Sequence, residues 1–212
     1  MRHLFFLVAL LLFSISAQSR PVSYPTGWTV MTMNDGDRFS THIHYSPTAF
    51  YSVGYKAEYW REDEFQIHAL QINNLIKRWN KRHSQANLYL KSGAGIALSG
   101  LGEFDNQVDP VFYTGIAADW ETRRYFVSYE NRVTVSTEIT DNFRQKARLG
   151  IAPYIAEFGD VHTWLMLEAR HAPEAAEKFV VTPLIRLFKG PGLFEVGYSS
   201  NENLLINYVH RF

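Results

Sequence analysis

From Trp28 to Phe212, apolar and polar side chains trade places at every second position, in runs of roughly the ten residues that a membrane-crossing strand needs. Phe50–Arg61 is the plainest case. Tyr51, Val53, Tyr55, Ala57 and Tyr59 fall on one side, and Ser52, Gly54, Lys56 and Glu58 on the other. A β-strand turns successive side chains to opposite faces, so this period predicts a strand with one apolar and one polar face. The same rule predicts strands over Trp28–Met33, Arg38–Tyr45, Phe65–Trp79, Gln85–Leu98, Val111–Glu121, Arg124–Val135, Phe143–Phe158, Val161–Arg170, Phe179–Lys189, Leu193–Ser199 and Asn203–Phe212. Ala69–Trp79 also fits a 3.6-residue period, but its neighbours are strands and it is read as one. Turn chemistry separates the runs: Asp35-Gly36 in the first hairpin, then Ser46-Pro47-Thr48, Gly159-Asp160 and Gly190-Pro191-Gly192. The chain therefore reads as about twelve antiparallel strands, or ten if Pro153 and Pro183, which fall inside predicted strands and lack an N–H, mark breaks.

The last run sets Leu204, Ile206, Tyr208, His210 and Phe212 against Leu205, Asn207, Val209 and Arg211. An apolar alternation ending on a C-terminal Phe resembles the closing strand of bacterial outer-membrane β-barrels. The resemblance implies an all-β fold, a single antiparallel up-and-down transmembrane β-barrel over residues 20–212, in the cell outer membrane. It also implies outer-membrane lipid as surroundings and the barrel-assembly machinery as a partner of that strand. The connections Ser46–Thr48, Asn80–Ser84, Glu121–Arg123, Phe158–Asp160 and Gly190–Gly192 would lie at the periplasmic end. Tyr45, Tyr51, Trp79, Trp120, Tyr125, Phe158 and Phe188 would form a girdle there. A soluble periplasmic barrel or sandwich is the alternative.

Export agrees with either. Met1-Arg2-His3, the apolar run Leu4–Phe13 and the small polar Ser14–Ser19 have the layout of a signal peptide over residues 1–19, with Ala17-Gln18-Ser19 as the cleavage pattern. The apolar run is shorter than the roughly 20 residues of a helical span. The chain has no cysteine, which excludes disulfides and thiolate chemistry, and a formal net charge of +0, which gives no reason to expect nucleic acid. Aromatic residues make up 15% of it, a content that suits interfacial rings.

Three functions are open to such a barrel. In the first hairpin, pairing about Asp35-Gly36 sets Met33 opposite Arg38 and Met31 opposite Ser40. Met31, Met33, His42 and His44 then share the inward face, with His42 diagonal to Met31. Thioether and imidazole together suit copper or silver ions. His68, placed beside an inward Glu58, and His162 with Met166 would extend the path. The stretches Gly27–Met31, His42–Thr48 and Glu58–Glu62 resemble small exported proteins linked to heavy-metal efflux systems, which implies a setting and such a system as partner, not a mechanism. The second function is a passive or plugged channel. Its lumen would hold charges of both signs: Lys56, Glu58, Lys91, Asp119, Glu130, Arg132, Arg148, Glu168, Arg186 and Arg211. The third is a lipid-modifying enzyme with a serine activated by histidine. No Gly-x-Ser-x-Gly occurs, His83 and Ser84 diverge as neighbours, and only Ser40/His42 and Ser52/His44 approach the required pairing, so the chain is not read as an enzyme.

Overall fold

A computed structural model of the protein describes residues 21–100, 106–157 and 159–212; the expected signal peptide, and Phe158 of the expected girdle, lie outside them. Twelve strands follow in order: β1 (Gly27–Asn34), β2 (Arg38–Ser46), β3 (Tyr51–Trp60), β4 (Phe65–Asn80), β5 (Gln85–Ser99), β6 (Val108–Glu121), β7 (Tyr125–Ser136), β8 (Asp141–Ile151), β9 (His162–His171), β10 (Phe179–Lys189), β11 (Gly192–Tyr198) and β12 (Leu204–Arg211). Each pairs antiparallel with its neighbours in sequence, and β12 returns to β1, so the sheet closes. At the seam Thr29 lies opposite Arg211 and Asn34 opposite Ile206. Phe212 N–H donates to Trp28 O at 2.9 Å, and Trp28 N–H to Phe212 O at 3.2 Å. Among the described residues closure leaves no edge strand.

Local chemistry sets the register. In the first hairpin Asn34 pairs with Phe39, which puts Met31 opposite His42 and Met33 opposite Ser40, two residues along from the pairing expected from sequence. The cause is Gly36, which takes a left-handed φ of +87° as the first central turn residue, so Gly36-Asp37 and not Asp35-Gly36 is the pivot. A slip of two preserves the faces. In β4 the register against β5 shifts between Leu75 and Lys77, a bulge that moves the inward parity from Asn73 and Leu75 to Arg78. That bulge accounts for the irregular alternation of Ala69–Trp79.

Neither proline breaks a ladder. β8 ends at Ile151, so Pro153 stands in the connection and not in a strand as expected. Pro183 does lie in β10, opposite Leu167 of β9. Val181, two residues earlier, donates its N–H to Ser200 Oγ and accepts from Ser200 N–H on the β11 side, so the N–H that Pro183 lacks would point the same way. There the β10–β11 pairing has already ended, at Leu184 opposite Gly197. Gly54 is needed for close approach: a Cβ there would sit 2.1 Å from the carbonyl oxygen of Ile43.

The two faces differ in kind. Outward side chains are predominantly apolar round the wall, among them Ile43, Val53, Leu70, Ile96, Ile116, Val127, Leu149, Leu165, Ile185 and Ile206. Trp28, Trp79, Trp120, Tyr125 and Phe212 ring the end that carries Gly27 and Arg211, and Phe39, Tyr59, Phe179 and Tyr198 ring the far end. Phe188, expected in that girdle, follows Leu184 and Arg186 on the inward parity, beside His162. The inward face is polar in its middle, with apolar patches Trp60–Phe65–Ile67–Val111–Tyr113 and Phe126–Trp164–Met166–Leu184–Leu205. A closed barrel that is apolar outside, aromatic at both rims and charged inside is a transmembrane barrel of the outer-membrane type. Ile43→Arg, near the centre of β2 on the outer wall, should therefore destabilise the barrel by about 2–4 kcal/mol in urea unfolding from lipid vesicles. An unchanged midpoint would contradict a lipid-facing wall.

Candidate functional site: the ion-bridged lumen

Inward positions of β1 to β12, with the β1–β2 turn, converge on a cavity of ≈ 190 Å³. Because the strands alternate, every second residue of each must enter this space, and the sequence supplies charged residues there. Buried carboxylates each meet more than one base, or share one. Glu58 of β3 accepts from Arg132 of β7 at 2.7 and 2.8 Å and from Arg38 at 3.0 Å, with Lys56 Nζ also at 3.0 Å. Glu195 of β11 accepts from Arg148 Nη1 at 3.0 Å, Arg186 Nε at 2.6 Å and Asn207 Nδ2 at 2.7 Å. Arg148 Nε reaches Glu168 at 2.5 Å, and Lys91 reaches Glu130 at 2.6 Å. Charge-assisted bonds of this kind are short and directional. The guanidinium of Arg132 also stacks on Tyr113, 3.8 Å from the ring centroid, while its Nε and Nη2 have no hydrogen-bond partner among the described residues. Arg170 Nη2 is in the same condition.

Among the described residues the cavity wall presents nine basic side chains and five carboxylates. Counting Glu58 and Asp37 as well, which stand behind the arginines, leaves the basic excess in place. The whole chain is neutral, so the excess belongs to the lumen.

At the far end the β1–β2 turn leans across the mouth. Asp35 lies 3.4 Å and Asp37 3.6 Å from Arg144 Nη2 of β8, and Asp37 also pairs with Arg170 of β9. In a twelve-strand ring these partners stand about half-way round from the turn. Arg61 fastens the turn from the neighbouring loop, donating to Gly36 O at 2.6 Å and Asn34 Oδ1 at 2.8 Å. Burial opposes ionisation of Asp35, but Arg144, Arg38 and Arg170 outweigh it and hold the carboxyl below its ordinary value of 3.8. A depressed carboxylate stabilises the fold fully above its ordinary pKa and loses that contribution as pH falls through the lowered one. The stability gap between the protein and Asp35→Asn should thus be constant from neutrality down to about pH 4 and shrink below it. Chemical denaturation across that range measures it; a gap independent of pH would mean the turn carboxylate is not ionically held.

The Met/His residues are partly where the sequence put them. Met31, Met33 and His42 line the cavity, and Met31 faces His42 directly and not diagonally. His44 is fully buried beside His42, with ring centroids 4.5 Å apart. His42 Nε2 and both ring nitrogens of His44 are buried without a hydrogen-bond partner among the described residues. His68 departs from expectation. It pairs with Ala57 and not with Glu58, so it points outward, where Tyr55 Oη meets its Nδ1 at 2.5 Å. Among the described residues no three His, Cys, Asp or Glu side chains gather as a metal-holding group. The Ser52/His44 pairing dissolves: His44 faces Gly54, and Ser52 Oγ donates to Pro21 O at 2.7 Å. Sequence reading missed Asp35 and Asp37, which looked like turn formers only, and Arg170 and Glu195, whose inward parity was available but not used.

No protein-family profile and no curated protein sequence matches the chain. Solved structures resemble its fold. A KdgM porin in complex with disordered oligogalacturonate aligns with a TM-score of 0.49 at 9% identity, over 88% of this chain and 98% of that one. Pseudomonas aeruginosa OccK8 (OprE) aligns at 0.43 and 8%, over 86% and 62%. Acinetobacter baumannii OccAB3 aligns at 0.40 and 8%, over 86% and 59%. At these levels the likeness concerns barrel shape alone.

Proposed function

We propose that the barrel is a narrow channel that favours small anions. The observation that carries this reading is the excess of basic over acidic side chains on the cavity wall, with guanidinium N–H groups of Arg132 and Arg170 left without acceptors. A pore lined by charge of one predominant sign, in a space too narrow for full screening, raises the local concentration of the opposite ion. Carboxylates neutralise most of the bases, which supports weak preference and small solutes, not a wide aqueous pore. In planar bilayers under a potassium chloride gradient, the reversal potential of open events should show chloride preference. Arg132→Gln with Arg170→Gln should move it toward zero. Cation preference in the unaltered protein would defeat the reading.

A second reading draws on the orphaned imidazoles. Buried ring nitrogens without partners call for an unseen one, and Met31 adds a thioether opposite His42. That set suits a soft monovalent ion, copper(I) or silver(I). Lys56, opposite His42, and Arg211, opposite Thr29 beside His44, weigh against a higher charge. Calorimetric titration of the purified barrel with silver should give binding that His42→Ala/His44→Ala abolishes. Equal heats from the two proteins would end this reading.

A further inference from the structure

The segment ahead of β1 does not leave the barrel. Thr26, with a left-handed φ of 65°, and the bond from Gly27 N–H to Tyr24 O at 3.1 Å turn the chain back. Residues 21–23 then run inward at the end that carries Gly27 and Arg211. Ser23 N–H is held by Ser46 Oγ of β2 at 3.0 Å. The carbonyl of Pro21 accepts from Ser52 Oγ of β3 at 2.7 Å and Asn73 Nδ2 of β4 at 3.3 Å. Ser52 and Asn73 are themselves fully buried, joined at 2.9 Å, and Gln71 adds a bond to Asn73 at 2.7 Å. Val22, 2% exposed, packs against Tyr89 of β5 and Ala117 of β6, with Leu75 of β4 alongside. The segment thus starts from β1 and touches β2, β3, β4, β5 and β6, reaching nearly half-way round the ring. Pro21 forms part of the floor of the charged cavity.

These contacts are of two complementary kinds. A carbonyl is held by two buried side-chain donors, and a valine fills an apolar notch made by a tyrosine, an alanine and a leucine. Tyr89 and Ala117 are buried inward residues, and the notch they form with Leu75 receives a short aliphatic side chain. We infer that residues 21–23 are an internal plug: they stopper the lumen at this end by seating Val22 in the Leu75–Tyr89–Ala117 notch, and conduction requires their withdrawal. The inference rests on the channel reading for its consequence, but the seating of Val22 is independent of it.

Two measurements separate them. The chain has no cysteine, so Val22→Cys provides a single thiol. In the folded, detergent-solubilised barrel it should react with a bulky maleimide at least about tenfold more slowly than Lys81→Cys, an exposed turn position at the same end, because local opening must precede reaction. Equal rates would overturn the plug whatever the barrel conducts. Val22→Asp sets a carboxylate against the apolar notch while leaving every strand unchanged; folding is checked by heat-modifiable gel mobility. Its open probability in planar bilayers should rise about tenfold, the shift expected when one buried valine contact is lost. If the variant and the unaltered protein conduct alike, the segment does not gate. If neither conducts at any voltage while Val22→Cys stays protected, the channel reading fails, gating with it, and only the seating stands.

Discussion

A sheet immersed in hydrocarbon has no water to satisfy its edge, so the pairing of β12 with β1 is the contact on which the rest depends. Six opposed residue pairs run along that seam, and Phe212 and Trp28 exchange backbone bonds at its end. Once the ring is closed, inside and outside are defined for every residue at once. Period two then sorts the side chains: Leu204, Ile206 and Tyr208 to lipid, Leu205, Asn207 and Val209 to the lumen. The same strand, left unpaired, would be an amphipathic edge with no reason to prefer one environment.

Enclosure changes what the inward charges do. Glu58 and Glu195 are almost wholly removed from bulk solvent, and a carboxylate there is tolerable only with close cations around it. Several of these cations come from distant strands, as Arg132 of β7 does for Glu58 of β3, and Arg148 of β8 for Glu195 of β11. Each such bond is a strut across the bore. The struts narrow the bore and stiffen the wall by the same act. They also explain how a neutral chain acquires a basic lumen: carboxylates are shared between bases, so guanidinium edges on Arg132 and Arg170 are left over.

Strand number, faces and most boundaries were legible because alternation is a local property that a closed barrel makes compulsory on every strand. Register was less so. Whether Asp35-Gly36 or Gly36-Asp37 is the pivot cannot be told from composition, since both dipeptides suit a tight turn, and the choice moved Met31 from Ser40 to His42. The β4 bulge was visible only as irregularity, because one inserted residue flips parity without leaving a signature residue. His68 was placed inward through Glu58, whose true partner on β4 is Ile67. The β1–β2 turn was read as a connector and the residues ahead of β1 were given no role, yet both bend into the bore. Nothing in a turn or a leader announces that; it depends on what stands across the ring.

The two bends oppose different physics. At the far mouth, Asp35 and Asp37 meet Arg144 and Arg170, and the two carboxylates are partly exposed, where mobile ions and protons can reach them. At the other end, Val22 is held by apolar contact and by neutral hydrogen bonds to Pro21, which salt does not screen. Raising ionic strength therefore loosens one closure and leaves the other, or tightens it where the salt is one that strengthens apolar burial. On the channel reading proposed above, an anion entering from the far side would compete with the turn carboxylates for the same guanidinium groups and so release the mouth it enters by. It would have no such hold on Val22, and a pore built this way would answer its solute from one side only.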